Sequence, residues 1–166
     1  MNLIVAVDDN WGIGKNNTLL FRLPQDLAHF KQTTINNIVV MGSNTLKSLP
    51  KSKPLPERTN VVLWPDGEEV EGATVVDSLE NLFELLKTYP SEKVFVIGGA
   101  MMYKTMLPYC EKAYVTKVFA NGDATVFFEN LDVHSDWVLE TREEPIQDNG
   151  YTIQYYVYKN NKVKKF

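Results

Sequence analysis

Apolar residues recur along the chain in two registers, as short unbroken runs and at helical spacing. Residues 3–7 are continuously apolar and are stopped by Asp8 and Asp9, the pattern of a strand buried on both faces in a parallel sheet. Runs at 37–42 (NIVVMG), 60–64 and 94–99 (VFVIGG) repeat it, with a shorter copy at 74–76. Helical spacing intervenes. In 19–31 (LLFRLPQDLAHFK), Pro24 suits a first helical turn, where its missing N–H costs nothing, and Gln25 and Asp26 follow at the positive end of the dipole. At about 100° per residue, Leu23, Leu27, Phe30 and Thr34 share one face, with Asp26 at its border. Ser78 caps a second helix whose Leu79, Leu82, Phe83 and Leu86 face inward. Past Cys110 the helices stop: 113–119, 137–142 and 152–159 are strand-like, the last two an antiparallel pair joined through Asp148, Asn149 and Gly150. The pattern predicts an α/β fold: a predominantly parallel central mixed sheet of about eight strands, an antiparallel C-terminal hairpin and about four flanking helices. Residues 162–165 read as a charged tail.

Composition narrows the class. The 166 residues suit one domain over 1–166, able to bury about 70% of the surface of the unfolded chain. A net charge of −4 argues against nucleic acid or an anionic membrane as the main partner and favours small-molecule chemistry. Cys110 is alone, and His29 and His134 are far apart, so neither a disulfide nor a bound metal is expected. The N-terminal apolar run is too short for a signal peptide or a spanning helix, and a cytoplasmic enzyme or binding protein is expected.

Five stretches carry candidate chemistry. Asp26 is either a solvated first-turn acid or a carboxylate at an apolar pocket that recognises a cationic or amide-like ligand edge. Strand, glycine and helix start follow one another twice, at Gly42 to Thr45 and at Gly98 to Met102, and both helices are closed by proline. Such turns bring free N–H groups to a sheet edge and suit phosphate groups, or serve only close packing. Neither GxGxxG nor GxxxxGK[ST] occurs. Residues 9–18 (DNWGIGKNNT) form a loop with Trp11 and Ile13 to bury, either a plain connection or a lid beside Asp26. Arg58 stands before a strand in a proline-rich stretch, as a solvated cation or as a fork for a ligand carboxylate.

Taken in order, LIVAVDDNWGIGKNN, LPQDLAHFKQTT, VVMGSNT, KPLPERTNVVL, VFVIGGAMMY, the YVTKV strand and DATVFF resemble the dihydrofolate reductase family along essentially the whole chain. The resemblance implies NADPH-dependent reduction of dihydrofolate to tetrahydrofolate. It makes Asp26 the acid of the pterin site, with a pKa raised by burial. Leu27, Phe30, Leu49 and Leu55 resemble the apolar slot, and Arg58 the clamp on the glutamate tail. Val5, Ala6, Ile97, Tyr103 and Thr116 are further pocket positions, Thr116 orienting Asp26. Cofactor positions implied are Ala6, Gly42, Ser43, Asn44, Thr45, Leu63, Trp64, Ser78, Gly98, Gly99, Ala100, Met101, Met102 and Thr125. Ile13, Asn17 and Leu19 belong to the loop that closes over the nicotinamide. A cytoplasmic monomer is implied.

Three places depart from the family pattern. Phe21 stands where tryptophan is commonest, which keeps ring packing and removes an indole N–H. Ser43 replaces a frequent arginine, and Trp64 with Pro65 falls where small hydroxylated residues are usual. Hydrogen bonds to charged groups contribute roughly 1.5–3 kcal/mol, so preference for NADPH over NADH is expected to narrow by about one to two orders of magnitude unless a neighbour compensates. Two rival functions fit parts of the pattern: a pyridine-nucleotide reductase acting on another heterocycle, such as a pyrimidine intermediate of flavin synthesis, and an idle nucleotide-binding module. Asp26, Phe30 and Arg58 together favour folate.

Overall fold

The first apolar run becomes the middle of a sheet. The computed structural model describes residues 1–16 and 18–166; Asn17, one of the candidate loop residues, lies outside them. In chain order the strands are β1 (Asn2–Val7), β2 (Gly12–Gly14), β3 (Ile38–Gly42), β4 (Thr59–Leu63), β5 (Ala73–Val76) and β6 (Val94–Gly98). They continue as β7 (Lys112–Val118), β8 (Val126–Phe127), β9 (Trp137–Arg142), β10 (Ile146–Asp148) and β11 (Tyr151–Asn160). The helices are α1 (Pro24–Thr34), α2 (Ser43–Ser48), α3 (Leu79–Leu86) and α4 (Ala100–Met106).

The main sheet runs β10-β11-β7-β1-β6-β3-β4-β5, with β9 also paired to β11. From β5 to β7 every neighbour is parallel, and β11 turns antiparallel against β7. The helix-linked strands explain this: parallel neighbours need a crossover, and α1 to α4 supply crossovers. Leu3, Val5 and Val7 join the larger core with Val40, Val61, Leu82 and Val96, while Val39, Met41, Leu46 and Val62 pack on the opposite face.

Three expectations change. The C-terminal antiparallel pair is real, but β10 comes between its members: β11 is long enough to pair β10 with its first half and β9 with its second. Asp148 therefore ends a strand, and Asn149 (φ 51°) and Gly150 (φ 85°) make the two-residue turn with both φ angles positive that hairpins favour. Residues 162–165 are an exposed charged tail, as expected, but an anchored one. Lys164 N–H donates to Pro108 O at 2.9 Å, and the Phe166 ring stacks on Phe83 with centroids 4.8 Å apart. Trp11 is not part of a lid. It is buried between Phe128 and Tyr158, and Lys117 Nζ sits 5.0 Å above its ring while also bonding Asp132 at 2.7 Å. The loop is pinned further by β2 pairing with β8, and by Asp8, whose carboxylate accepts from Gly12 N at 2.7 Å and Gly122 N at 3.0 Å.

Candidate active site

Ala6 is the anomaly around which the site is built. It lies inside β1, a strand paired on both sides, yet it is exposed while its neighbours Val5 and Val7 are buried. An open residue at mid-sheet means that, among the described residues, none covers that face at Ala6. The cleft above it is bordered by α1. Leu23 and Thr34, at the ends of the helix's apolar face, are buried, whereas Leu27 is 53% exposed and Phe30 only partly covered. The middle of an apolar helix face thus faces an unfilled space. Leu49, Leu55 and Ile97, all half-buried, pack at the edge of the smaller core cluster.

Asp26 stands at this opening. Its Oδ1 accepts a hydrogen bond from Thr116 Oγ1 at 2.7 Å, and Thr116 is fixed on β7 between Ala6 and Tyr155. Burial raises the Asp26 pKa above the ordinary carboxylate value, offset by the Thr116 bond and by His29, while Asp148 raises it further. Asp148 escaped sequence reasoning, which saw only a turn residue. It accepts the Asp26 backbone N–H at 3.0 Å and so caps a helix whose own N-cap residue, Leu23, offers no side-chain acceptor. The partner is 122 residues away, so no local signal could have revealed it. His29 was likewise unmarked; it stacks on Tyr155 with ring centroids 4.0 Å apart. Burial, then the carboxylates of Asp26, Asp148 and Glu143, push the Tyr155 hydroxyl up to about 12.

Arg58 closes the far end of the α1 side. Its Nη1 donates to Thr34 Oγ1 at 3.2 Å and its Nε to Pro56 O at 2.9 Å. Among the described residues no carboxylate forms an ion pair with it. Part of a planar fork is therefore held in place by neutral acceptors, which leave its charge unneutralised.

The two glycine turns lie side by side at the carboxyl ends of β3 and β6. Gly98 has φ +141°, and a Cβ there would come 3.1 Å from Thr45 Oγ1, so a side chain would both strain the backbone and crowd α2. Gly42, with ordinary backbone angles, lies against Met102, its would-be Cβ 3.4 Å from Met102 Cγ. Ser43, Asn44 and Thr45 open α2, and Gly99 caps α4, which begins at Ala100. Met101 is 80% exposed beside them. Two backbone cradles with little side-chain bulk suit a phosphate-bearing ligand across β3 and β6.

Other positions take different places. Tyr103 is buried, its hydroxyl 2.7 Å from Ile4 O and 2.8 Å from Ile97 O, so it braces β1 against β6 beneath the cleft. Val5 is also below the surface. Ser78 Oγ accepts from Asn81 N at 3.1 Å and is engaged in capping α3. Leu63 ends β4, and Trp64 follows it, half-buried. Ile13 lies on β2 against the larger core, Thr125 is exposed with its N–H bonded to Gly14 O, and Leu19 is 76% exposed. Phe21 keeps ring packing, edge-on to Tyr151.

Comparison with known proteins places the chain in a family. The family model described as dihydrofolate reductase matches residues 1–162. The dihydrofolate reductase of Bacillus subtilis is 36% identical, with 99% of this chain and 97% of that one covered. That of Haemophilus influenzae is 34% identical over 94% and 96%. Among solved structures, dihydrofolate reductase from Enterococcus faecalis, complexed with NADP(H) and RAB-propyl, superposes with a TM-score of 0.84 at 33% identity, covering 96% of this chain and 95% of that one. By whole-length sequence match and by shared fold, the chain belongs to the dihydrofolate reductase family.

Proposed function

We propose that Asp26 binds the pterin and promotes its protonation while this dihydrofolate reductase reduces dihydrofolate to tetrahydrofolate with NADPH. The observation that carries this reading is the half-buried Asp26 carboxylate, hydrogen-bonded by Thr116, at a cleft whose floor is the exposed Ala6 of a central strand. NADPH, when bound, supplies the hydride. Asp26 accepts hydrogen bonds from the exocyclic amine and a ring N–H of the pterin, and burial, by raising its pKa, makes the carboxyl hold a proton more readily than a solvated one does. No second acid is assigned beside the imine nitrogen, so water carries the proton to it. Thr116 holds the carboxylate in orientation.

Leu27, Phe30, Leu49, Leu55 and Ile97 form the apolar slot for the pterin and benzoyl rings, with Val5 and Tyr103 behind it. Arg58 clamps the glutamate carboxylate. The backbone at Gly42, Ser43, Asn44 and Thr45, and at Gly98, Gly99, Ala100, Met101 and Met102, holds the cofactor. Leu63, Trp64 and Ser78 lie toward its adenosine end, and Ile13, Asn17, Leu19 and Thr125 toward its nicotinamide. The protein acts as a single domain over 1–166, a cytoplasmic monomer that binds small molecules and not nucleic acid.

The test is absorbance loss when purified protein is mixed with NADPH and dihydrofolate. Wild type is expected to turn over robustly and Asp26→Asn to lose most of that rate at neutral pH. An Asp26→Asn rate equal to wild type would remove Asp26 from its role.

A further inference from the structure

The proposed cofactor placement gives the site a far end. Adjacent strands lie about 4.8 Å apart, so Gly98 on β6, Gly42 on β3, Leu63 on β4 and Val76 on β5 span about 14 Å along the carboxyl edge of the sheet. A dinucleotide that puts its nicotinamide beside Ala6 and its diphosphate over the glycine turns reaches β4 and β5 with its adenosine.

A pocket of about 410 Å³ opens there, walled by Trp64, Glu68, Glu69, Val76, Asp77 and Asn81. Trp64 is set firmly: its backbone N–H donates to Val76 O at 2.9 Å, and Gly67 lies so close to the indole that any Cβ would collide with it. The indole forms one wall of the pocket. Asp77 Oδ1 accepts from Asn81 Nδ2 at 2.7 Å, which orients the carboxylate and leaves Oδ2 as an acceptor. No lysine, arginine or histidine is among the lining residues. The cation on this side, Lys47, holds its ammonium 5.0 Å over the Trp64 ring.

A ribose 2′-phosphate carries about −1.5 to −2 charges near neutral pH and needs paired cations. Against Glu68, Glu69 and Asp77 it meets like charge. A free 2′-hydroxyl is a donor, and a carboxylate at a strand end is the acceptor that nucleotide-binding sheets use to read it.

We propose, on the strength of that cofactor placement, that the Trp64–Asp77 pocket recognises the adenosine ribose through its free hydroxyls, with Asp77 the specificity-determining acceptor, so that the protein binds NAD(H) about as tightly as NADP(H). Glu68 and Glu69 act at longer range, by repelling a 2′-phosphate.

Titration calorimetry with NAD⁺ and with NADP⁺, on protein free of dihydrofolate, tests this without relying on turnover. The two Kd values are expected to lie within about tenfold of each other. Asp77→Asn is expected to weaken NAD⁺ by about tenfold while leaving NADP⁺ unchanged or tighter, and Glu69→Gln to tighten NADP⁺ alone. NADP⁺ binding more than about tenfold tighter to wild type would overturn the proposal while leaving the cofactor site where it is, as would an Asp77→Asn protein, folded by circular dichroism, with an unchanged ratio. If neither dinucleotide bound, the cofactor placement itself would fall, and the proposal with it.

Discussion

Asp26 shows how one carboxyl is tuned by groups that its neighbours in sequence do not disclose. Thr116 favours its charged form and Asp148 its neutral form, from positions 90 and 122 residues away. Reduction needs a proton, so kcat/KM falls as pH rises through the apparent pKa of the site. Thr116→Val removes a bond to the carboxylate and is expected to move that fall to higher pH, and Asp148→Asn removes a negative neighbour and is expected to move it lower. A pH profile of each variant checks both signs. Stability follows the same linkage. The folded carboxyl holds its proton more tightly than an unfolded one, so stability falls as pH rises from the ordinary carboxylate value to the raised one. Asp26→Asn should therefore melt above wild type once pH exceeds that window, and with it below. Arg58 poses a separate question, because its fork has neutral partners only. Arg58→Leu is expected to raise KM for dihydrofolate by about 10- to 100-fold with kcat little changed, the worth of a charge-assisted pair; steady-state kinetics with an unaltered KM would take it out of the site.

At the scale of elements, what could be read from the sequence was whatever announces itself locally. Pro24 at the first turn of α1, Ser78 capping α3, the glycines ending β3 and β6, and the apolar run of β1 all stand where the pattern places them. The strands that escaped were β2, β8 and β10, only two or three residues long, too short for any periodicity to register. Trp11 misled for a different reason. A tryptophan among glycines and asparagines marks something to be buried, but whether it covers a ligand or anchors its own loop depends on Phe128, Tyr158 and Lys117, which arrive from more than 100 residues away. The β10–β11 turn, by contrast, is governed by its own two residues. Gly150 has φ +85° and open space around it, so Gly150→Ala meets strain and no clash. It is expected to cost about 1 kcal/mol, read as a lower urea midpoint with unchanged slope.

Over the whole molecule, sheet order explains why the site residues, scattered through the sequence, come together. Strand β1, first in the chain, sits between β7 and β6, and the carboxyl ends of β3 to β6 share one edge. Asp26 precedes β3, Arg58 precedes β4 and Thr116 lies in β7, so no window of sequence contains the cleft. Family likeness supplied that assembly in advance, where periodicity alone left Asp26 undecided. The acidic residues around Trp64 illustrate the reverse case: Glu68, Glu69 and Asp77 share a pocket that no local pattern marks.

The centre of a sheet is ordinarily the best sealed part of a fold, and at Ala6 a single methyl group sets how deep the opening goes. Strand pairing uses the backbone of β1 and is indifferent to what fills the space above it. Ala6→Leu is expected to leave circular dichroism unchanged while abolishing measurable binding of dihydrofolate by calorimetry. At that position the protein's architecture and its chemistry come apart: one can be erased while the other stands.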